Sequence, residues 1–207
     1  MGLSINQNSL NQTGVTFKGK LEKTDSGNTY YKSNKATITG AILAIPAFGL
    51  NALDALHKVD ENQLKESVKK GRLADNQFIK DTINAAKNVP KTAIPLGILA
   101  AGLTLGCGVL VDKWRNEKAA EAADLVKRVG KKKAIISNED LDISRRGNVY
   151  YDSNVGQSKG ALLGAACGAV FSLASQALRK IKFNKWILMS DLAISLVYSL
   201  GGWIVGK

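Results

Sequence analysis

The chain has 207 residues but only two cysteines and one histidine. These are too few for a metal centre rich in Cys and His, so we expect neither a metal nor a cofactor. The formal net charge is +12, which favours anionic partners, either nucleic acid or anionic lipid headgroups.

Apolar residues make up 45% of the chain and lie mainly in four blocks with the charges between them. This distribution is typical of a membrane protein. We therefore predict a lipid bilayer, including its anionic lipids, as the partner and no nucleic acid.

The N-terminal residues 1–14 are rich in Asn, Gln, Ser and Thr, a composition that predicts a disordered tail. The first 35 residues have no apolar core behind a basic start, so we expect no secretory signal peptide.

Two similar motifs indicate an internal duplication. Gly27 opens GNTYYKSN and Gly147 opens GNVYYDSN, and six of the eight positions are identical at an offset of 120. A second match at an offset of 94 aligns GVLVDK, which begins at Gly108, with GWIVGK, which begins at Gly202. The sequence therefore predicts a tandem repeat. We divide it into a first repeat (15–112), a charged helical linker (113–133) and a second repeat (134–207).

Each repeat is predicted to begin with a small β-hairpin, because a Gly-Asn turn joins two β-branched or aromatic runs. Asn34 and Asn154 then precede the apolar blocks, where helix N-caps are expected. The Tyr-Tyr pair of each motif fits two interpretations: cross-strand packing in the hairpin, or an anchor at the membrane interface.

The four apolar segments are residues 36–56, 92–111, 160–178 and 186–206. Each is close to the ~20 residues that span a bilayer. We predict an all-α integral membrane protein with four transmembrane helices, arranged as two tandem two-helix repeats. The first segment contains Pro46, so a kinked or re-entrant helix is the alternative there.

Small residues recur every four positions in two segments, which places them on one stripe of a helix. Such stripes let another helix backbone approach closely in a membrane. The predicted helix-packing residues are Gly160, Gly164, Gly168 and Ser172 in the third segment, and Gly102 and Gly106 in the second. The spacing leaves open whether the contact lies within one chain or between chains.

Two polar stretches lie between the apolar segments. Residues 63–89 have apolar residues four apart and are predicted to form a helix, lying either in the membrane interface or on the helical hairpin. Residues 114–133 are predicted to extend the second span into water. With two spans per repeat, both termini lie on one side. We predict that side to be cytoplasmic, in a plasma or inner membrane.

Three polar residues lie in or near the apolar segments: Asn51, Asp54 and Asp191. An intramembrane carboxylate is a candidate functional group, so these residues could line a polar path, although both aspartates also lie close to predicted helix ends. The sequence contains no CxxC pair and no Walker loop. We therefore predict a non-enzymatic membrane scaffold that self-associates through glycine-rich helices as a homo-oligomer. The alternative is a small oligomeric pore, channel or transporter.

Overall fold

The structure is a computed structural model that describes residues 20–70, 76–130, 141–143, 149–151, 153–181 and 185–207. The strands are β1 (Lys20–Lys23), β2 (Thr29–Lys32), β3 (Leu141–Ile143) and β4 (Val149–Tyr151). The helices are α1 (Lys35–Leu53), α2 (Glu61–Lys70), α3 (Asn76–Val129), α4 (Ser153–Arg179) and α5 (Lys185–Val205).

Four of these helices, α1, α3, α4 and α5, are long and apolar enough to cross a membrane. This confirms the coarse prediction of four such segments. Pro46 lies inside α1 without ending it, and a 3₁₀ turn at Asp54–Leu56 continues the helix.

The helices pack as two antiparallel pairs, α1 with α3 and α4 with α5. Contacts between α3 and α4 join the pairs, whereas α1 and α5 touch each other little. At one end, called the sheet end, Ala36 of α1, Val111 of α3 and Val205 of α5 pack together. At the opposite end, called the loop end, α1 and α4 finish and α5 begins.

The strands form one four-stranded sheet with the order β1-β2-β4-β3. β1 and β2 pair antiparallel around a turn in which Gly27 has a φ of +77°, a conformation that suits glycine. β3 and β4 also pair antiparallel, and β2 pairs parallel with β4. The predicted turn at Gly147 lies outside the described residues.

The sheet is attached to the part of α3 that extends beyond the apolar segment. Tyr30 packs on the buried pair Ala122 and Ala123. Asp124 accepts hydrogen bonds from Asn28 Nδ2 at 2.6 Å and Thr24 Oγ1 at 2.7 Å, and these donors lower the pKa of the Asp124 carboxyl. The hairpin is thus held to α3 by both apolar and polar contacts.

The helix α3 is a single element of 54 residues, about 80 Å long at 1.5 Å per residue. It contains most of the helix predicted between the first two spans and, as its C-terminal part, residues 113–129 of the predicted linker. Ile79 and Ile83 near its start are buried, and Lys87 forms an ion pair with Glu61 of α2. This segment therefore has protein contacts on one side, and its position relative to the membrane interface stays a prediction.

The helix starts differ from the predicted caps. Asn34 occupies the N-cap position of α1, but its side chain makes no capping hydrogen bond. The carboxylate of Asp112 on α3 accepts the Ala36 and Thr37 N–H groups instead. Because α4 begins at Ser153, Asn154 is its second residue and not its cap.

Candidate functional site

The glycine stripe of α4 lies directly against the backbone of α5. A Cβ placed on Gly160 would overlap the carbonyl oxygen of Gly202, and one on Gly164 would overlap that of Tyr198. A Cβ on Gly168 would come within 2.6 Å of Ser195 Cα. The stripe is therefore occupied within the chain, and only hydrogen fits at these positions.

The other predicted members of the stripes have different surroundings. Ser172 is buried, beside Phe171, whose ring lies 5.6 Å from that of Tyr198. Gly102 and Gly106 face away from the other described helices, because a Cβ on either would meet nothing within 4 Å. The same four-residue spacing therefore occurs in a stripe of α4 that α5 covers and in a stripe of α3, called the open stripe, that no described helix covers.

The α1–α3 pair makes its close contact through two glycines that the sequence analysis did not select. A Cβ on Gly40 would lie 2.9 Å from Thr104 O and 3.4 Å from Gly108 Cα. The offsets of 120 and 94 map Gly40 onto Gly160 and Gly108 onto Gly202. Those two residues form the equivalent contact between α4 and α5, so the repeat match was the signal that could have identified them.

The two cysteines lie where the helix pairs meet, between α3 and α4. Both are free thiols. Cys107 Sγ is 4.0 Å from Gly160 O, and Cys167 Sγ is 3.8 Å from Leu103 O. Each sulfur thus contacts a backbone carbonyl of the opposite helix, as expected for small buried side chains that fill a helix interface.

A polar cluster on α3 connects three helix ends at the sheet end. Asp112 and Arg115 are only 4% and 6% exposed. Asp112 caps α1 through bonds of 3.2 Å to Ala36 N and 2.7 Å to Thr37 N. Arg115 Nη2 donates to the carbonyl oxygen of Gly206, just beyond the end of α5. An anion at a helix N-terminus and a cation at a C-terminus each complement the helix dipole.

Asn116, one residue after Arg115, holds the segment that leads into α1. Its Oδ1 accepts the Ser33 N–H at 2.7 Å, and its Nδ2 donates to Ser33 O at 2.9 Å. One face of α3 therefore sets the position of both the start of α1 and the end of α5. Sequence reasoning missed this cluster because it assigned residues after 111 to a water-exposed region.

The three polar residues proposed for a path lie towards the loop end, each with its own partner. Asn51 Nδ2 donates to Ala47 O of its own helix at 2.8 Å. Asp54 forms an ion pair with Arg179 at 3.3 Å. Asp191 accepts a hydrogen bond from Gln176 of α4. No hydrogen bond or ion pair joins the side chains of any two of the three, and the ion pair links the turn after α1 to the end of α4.

A cavity of about 470 Å³ lies between α1 and α5, with α3 and α4 as its floor. It is called the α1–α5 groove below. It extends from Ser190 near the loop end to Val205 near the sheet end. Most of its lining is apolar, and Asn51, Thr104 and Ser190 add a few polar groups. Thr104 donates its hydroxyl to Ala100 O, so this polar group is already satisfied.

Among the described residues, no cluster of His, Cys, Asp and Glu has the composition to hold a metal ion. Comparison with family models, curated proteins and solved structures found no match to this chain.

Proposed function

We propose that the chain is a non-enzymatic integral membrane protein in which α1, α3, α4 and α5 span the bilayer, and that it self-associates as a membrane scaffold. The observation that carries the proposal is the outward surface of these helices. It presents large apolar side chains such as Ile45 (74% exposed) and Leu162 (72% exposed). An apolar surface of this extent needs lipid or another protein around it.

In this proposed arrangement the sheet, the start of α1 and the end of α5 lie on one side of the bilayer, which we propose to be the cytoplasmic side of a plasma or inner membrane. A hairpin followed by two long antiparallel helices occurs twice, with the short helix α2 inserted in the first copy only, which supports the duplication inferred from sequence. It also supports a parallel repeat related by an axis along the membrane normal.

The surface we propose for self-association is the open stripe of α3. Gly102 and Gly106 have room for another backbone, and exposed Ile98, Leu105 and Val109 surround them. The stripe of α4 is already filled by α5, so it stabilises the chain itself. The apolar lining of the α1–α5 groove and the separate partners of Asn51, Asp54 and Asp191 support a scaffold over a pore.

Alkaline carbonate tests insertion. We expect the protein to stay in the membrane pellet at high pH and high salt, and to be released only by detergent, because the apolar contacts of the spans with lipid do not depend on charge. Release by carbonate would contradict the four-span proposal and leave a basic peripheral protein.

Cross-linking in detergent tests self-association. Gly102→Leu places a branched side chain where a second copy would approach. We expect it to weaken association about tenfold, equivalent to a loss of ~1.4 kcal/mol. Gly49→Leu is the matched control, because a Cβ there also meets nothing within 4 Å. Equal oligomer distributions for the two variants would exclude α3 as the interface.

A further inference from the structure

The α1–α5 groove has the dimensions of a single hydrocarbon chain. Along α5 it extends from Ser190 to Val205, which is about 22 Å at 1.5 Å per residue. A methylene chain about 4 Å thick, the carbon–carbon contact distance, would fill roughly 300 Å³ over that length. A helix about 10 Å wide would need roughly 1,700 Å³. The cavity of about 470 Å³ therefore has room for one such chain and is much smaller than a helix of this length.

The groove also opens in the direction from which lipid would enter. Its rim residues Leu50 and Val197 are exposed and apolar, and α1 and α5 make few contacts with each other. In a bilayer this opening faces the acyl chains. A chain in the groove gains van der Waals contacts from several sides, which is the main favourable term where lipid replaces water.

Exposed lysines lie beside the sheet end of the groove. Lys35 Nζ lies 3.4 Å from the backbone oxygen of Lys207, and both residues are exposed near the point where Ala36 and Val205 pack together. The carboxylates beside the loop end already have partners, because Asp54 pairs with Arg179 and Asp191 accepts a hydrogen bond from Gln176. The exposed ammonium groups at the sheet end attract an anionic headgroup.

We infer that one acyl chain of an anionic phospholipid occupies the α1–α5 groove, with its headgroup at Lys35 and Lys207. The inference rests on the proposed membrane insertion and adds to it a specific lipid site. The lipid fills the space that α1 and α5 leave between them, and it completes the bundle on that side.

Photo-labelling with a phosphatidylglycerol that carries a diazirine on one acyl chain tests the site in reconstituted vesicles. We expect adducts concentrated in peptides 43–51 and 190–205. Gly201→Leu projects into the groove without meeting any described atom within 4 Å, and should reduce this labelling about tenfold. Ala193→Leu, at a second lining position, should do the same. Gly49→Leu, which does not line the groove, should label like the unmodified chain.

The headgroup is tested with the double variant Lys35→Gln and Lys207→Gln. Near a membrane surface each lysine contributes about fivefold to the binding of anionic lipid. We expect at least a tenfold loss of phosphatidylglycerol labelling, and little change with a phosphatidylcholine probe of the same chain. Equal effects on both probes would overturn the assignment of the headgroup.

Three outcomes would overturn the lipid site. Even labelling over outward residues such as Leu162 and Leu173 would show ordinary surrounding lipid, and would leave the proposed insertion intact. Cross-links between two copies across the groove would make a second chain its occupant. Release of the protein by carbonate would contradict the insertion itself, and with it the site.

Discussion

Asp112 and Arg115 are charged side chains, three positions apart on α3, that lie buried at the sheet end. Buried charges are costly unless they are paired with opposite charges or hydrogen bond donors and acceptors. Here the carboxylate faces the N–H groups of α1, and the guanidinium faces a carbonyl just beyond α5. Both residues therefore join separate helices.

Removing the carboxylate tests this role. We expect Asp112→Ala to lower the free energy of unfolding in detergent by roughly 2–3 kcal/mol, because two N–H groups lose a charged acceptor and Ala36 is buried. Hydrogen exchange at the Ala36 and Thr37 amides should rise as well. Glu117→Ala is the control, since its ion pair with Lys113 is exposed. If the two variants had equal effects, Asp112 would not be a cap.

The sequence gives a signal for Asp112 that is easily overlooked. The match between GVLVDK and GWIVGK aligns Asp112 with Gly206, so a charge replaces glycine at one of six positions. The sequence cannot show what that charge contacts, because the N-terminus of α1 lies 75 residues or more away. Asn34, the predicted local cap, has the right residue type, but this distant carboxylate takes its place.

At the scale of helices, the α4–α5 contact depends on the absence of side chains. Gly164→Leu should force the two backbones apart, because the first atom in its way is a carbonyl oxygen of α5. Overpacking costs up to about 3 kcal/mol, which corresponds to a melting temperature lower by about 6–12 °C for a chain of this size.

Differential scanning measurements in detergent check the size of this effect. Ala169→Leu, one position after Gly168 on an exposed part of α4, is the control and should change the melting temperature little. We expect the oligomeric state to stay the same in both variants. A Gly164→Leu protein that became monomeric with an unchanged melting temperature would place this stripe between chains.

Periodicity identifies a stripe but not what covers it. Gly160, Gly164 and Gly168 have the four-residue spacing and meet α5. Gly102 and Gly106 have the same spacing and meet no described neighbour within 4 Å, because α1 packs on the face of α3 that contains Gly97 and Gly108. Which face of α3 is covered depends on the position where α1 begins. Polar side chains at the sheet end hold that position.

For the whole molecule, hydropathy alone was enough to predict four long apolar helices and their approximate bounds. Two features of the fold could not be predicted from hydropathy. Residues 114–129 extend the second span as a helix, as predicted, but hydropathy did not show that residues 76–89 join the same span, which makes α3 one continuous helix. The hairpins were predicted as separate units, and their parallel pairing depends on contacts about 120 residues apart in the chain.

The strand order β1-β2-β4-β3 reads as a mirror image about its parallel central pair. Tyr30 pairs with Val149, one residue from Tyr150, its counterpart in the sequence match. A twofold rotation axis that runs along the central strands produces this order from two identical hairpins. A chain with only one hairpin and one helix pair could therefore form a four-stranded sheet of the same order by pairing with a second copy of itself. The four strands of the present chain have the order that such a homodimer would have.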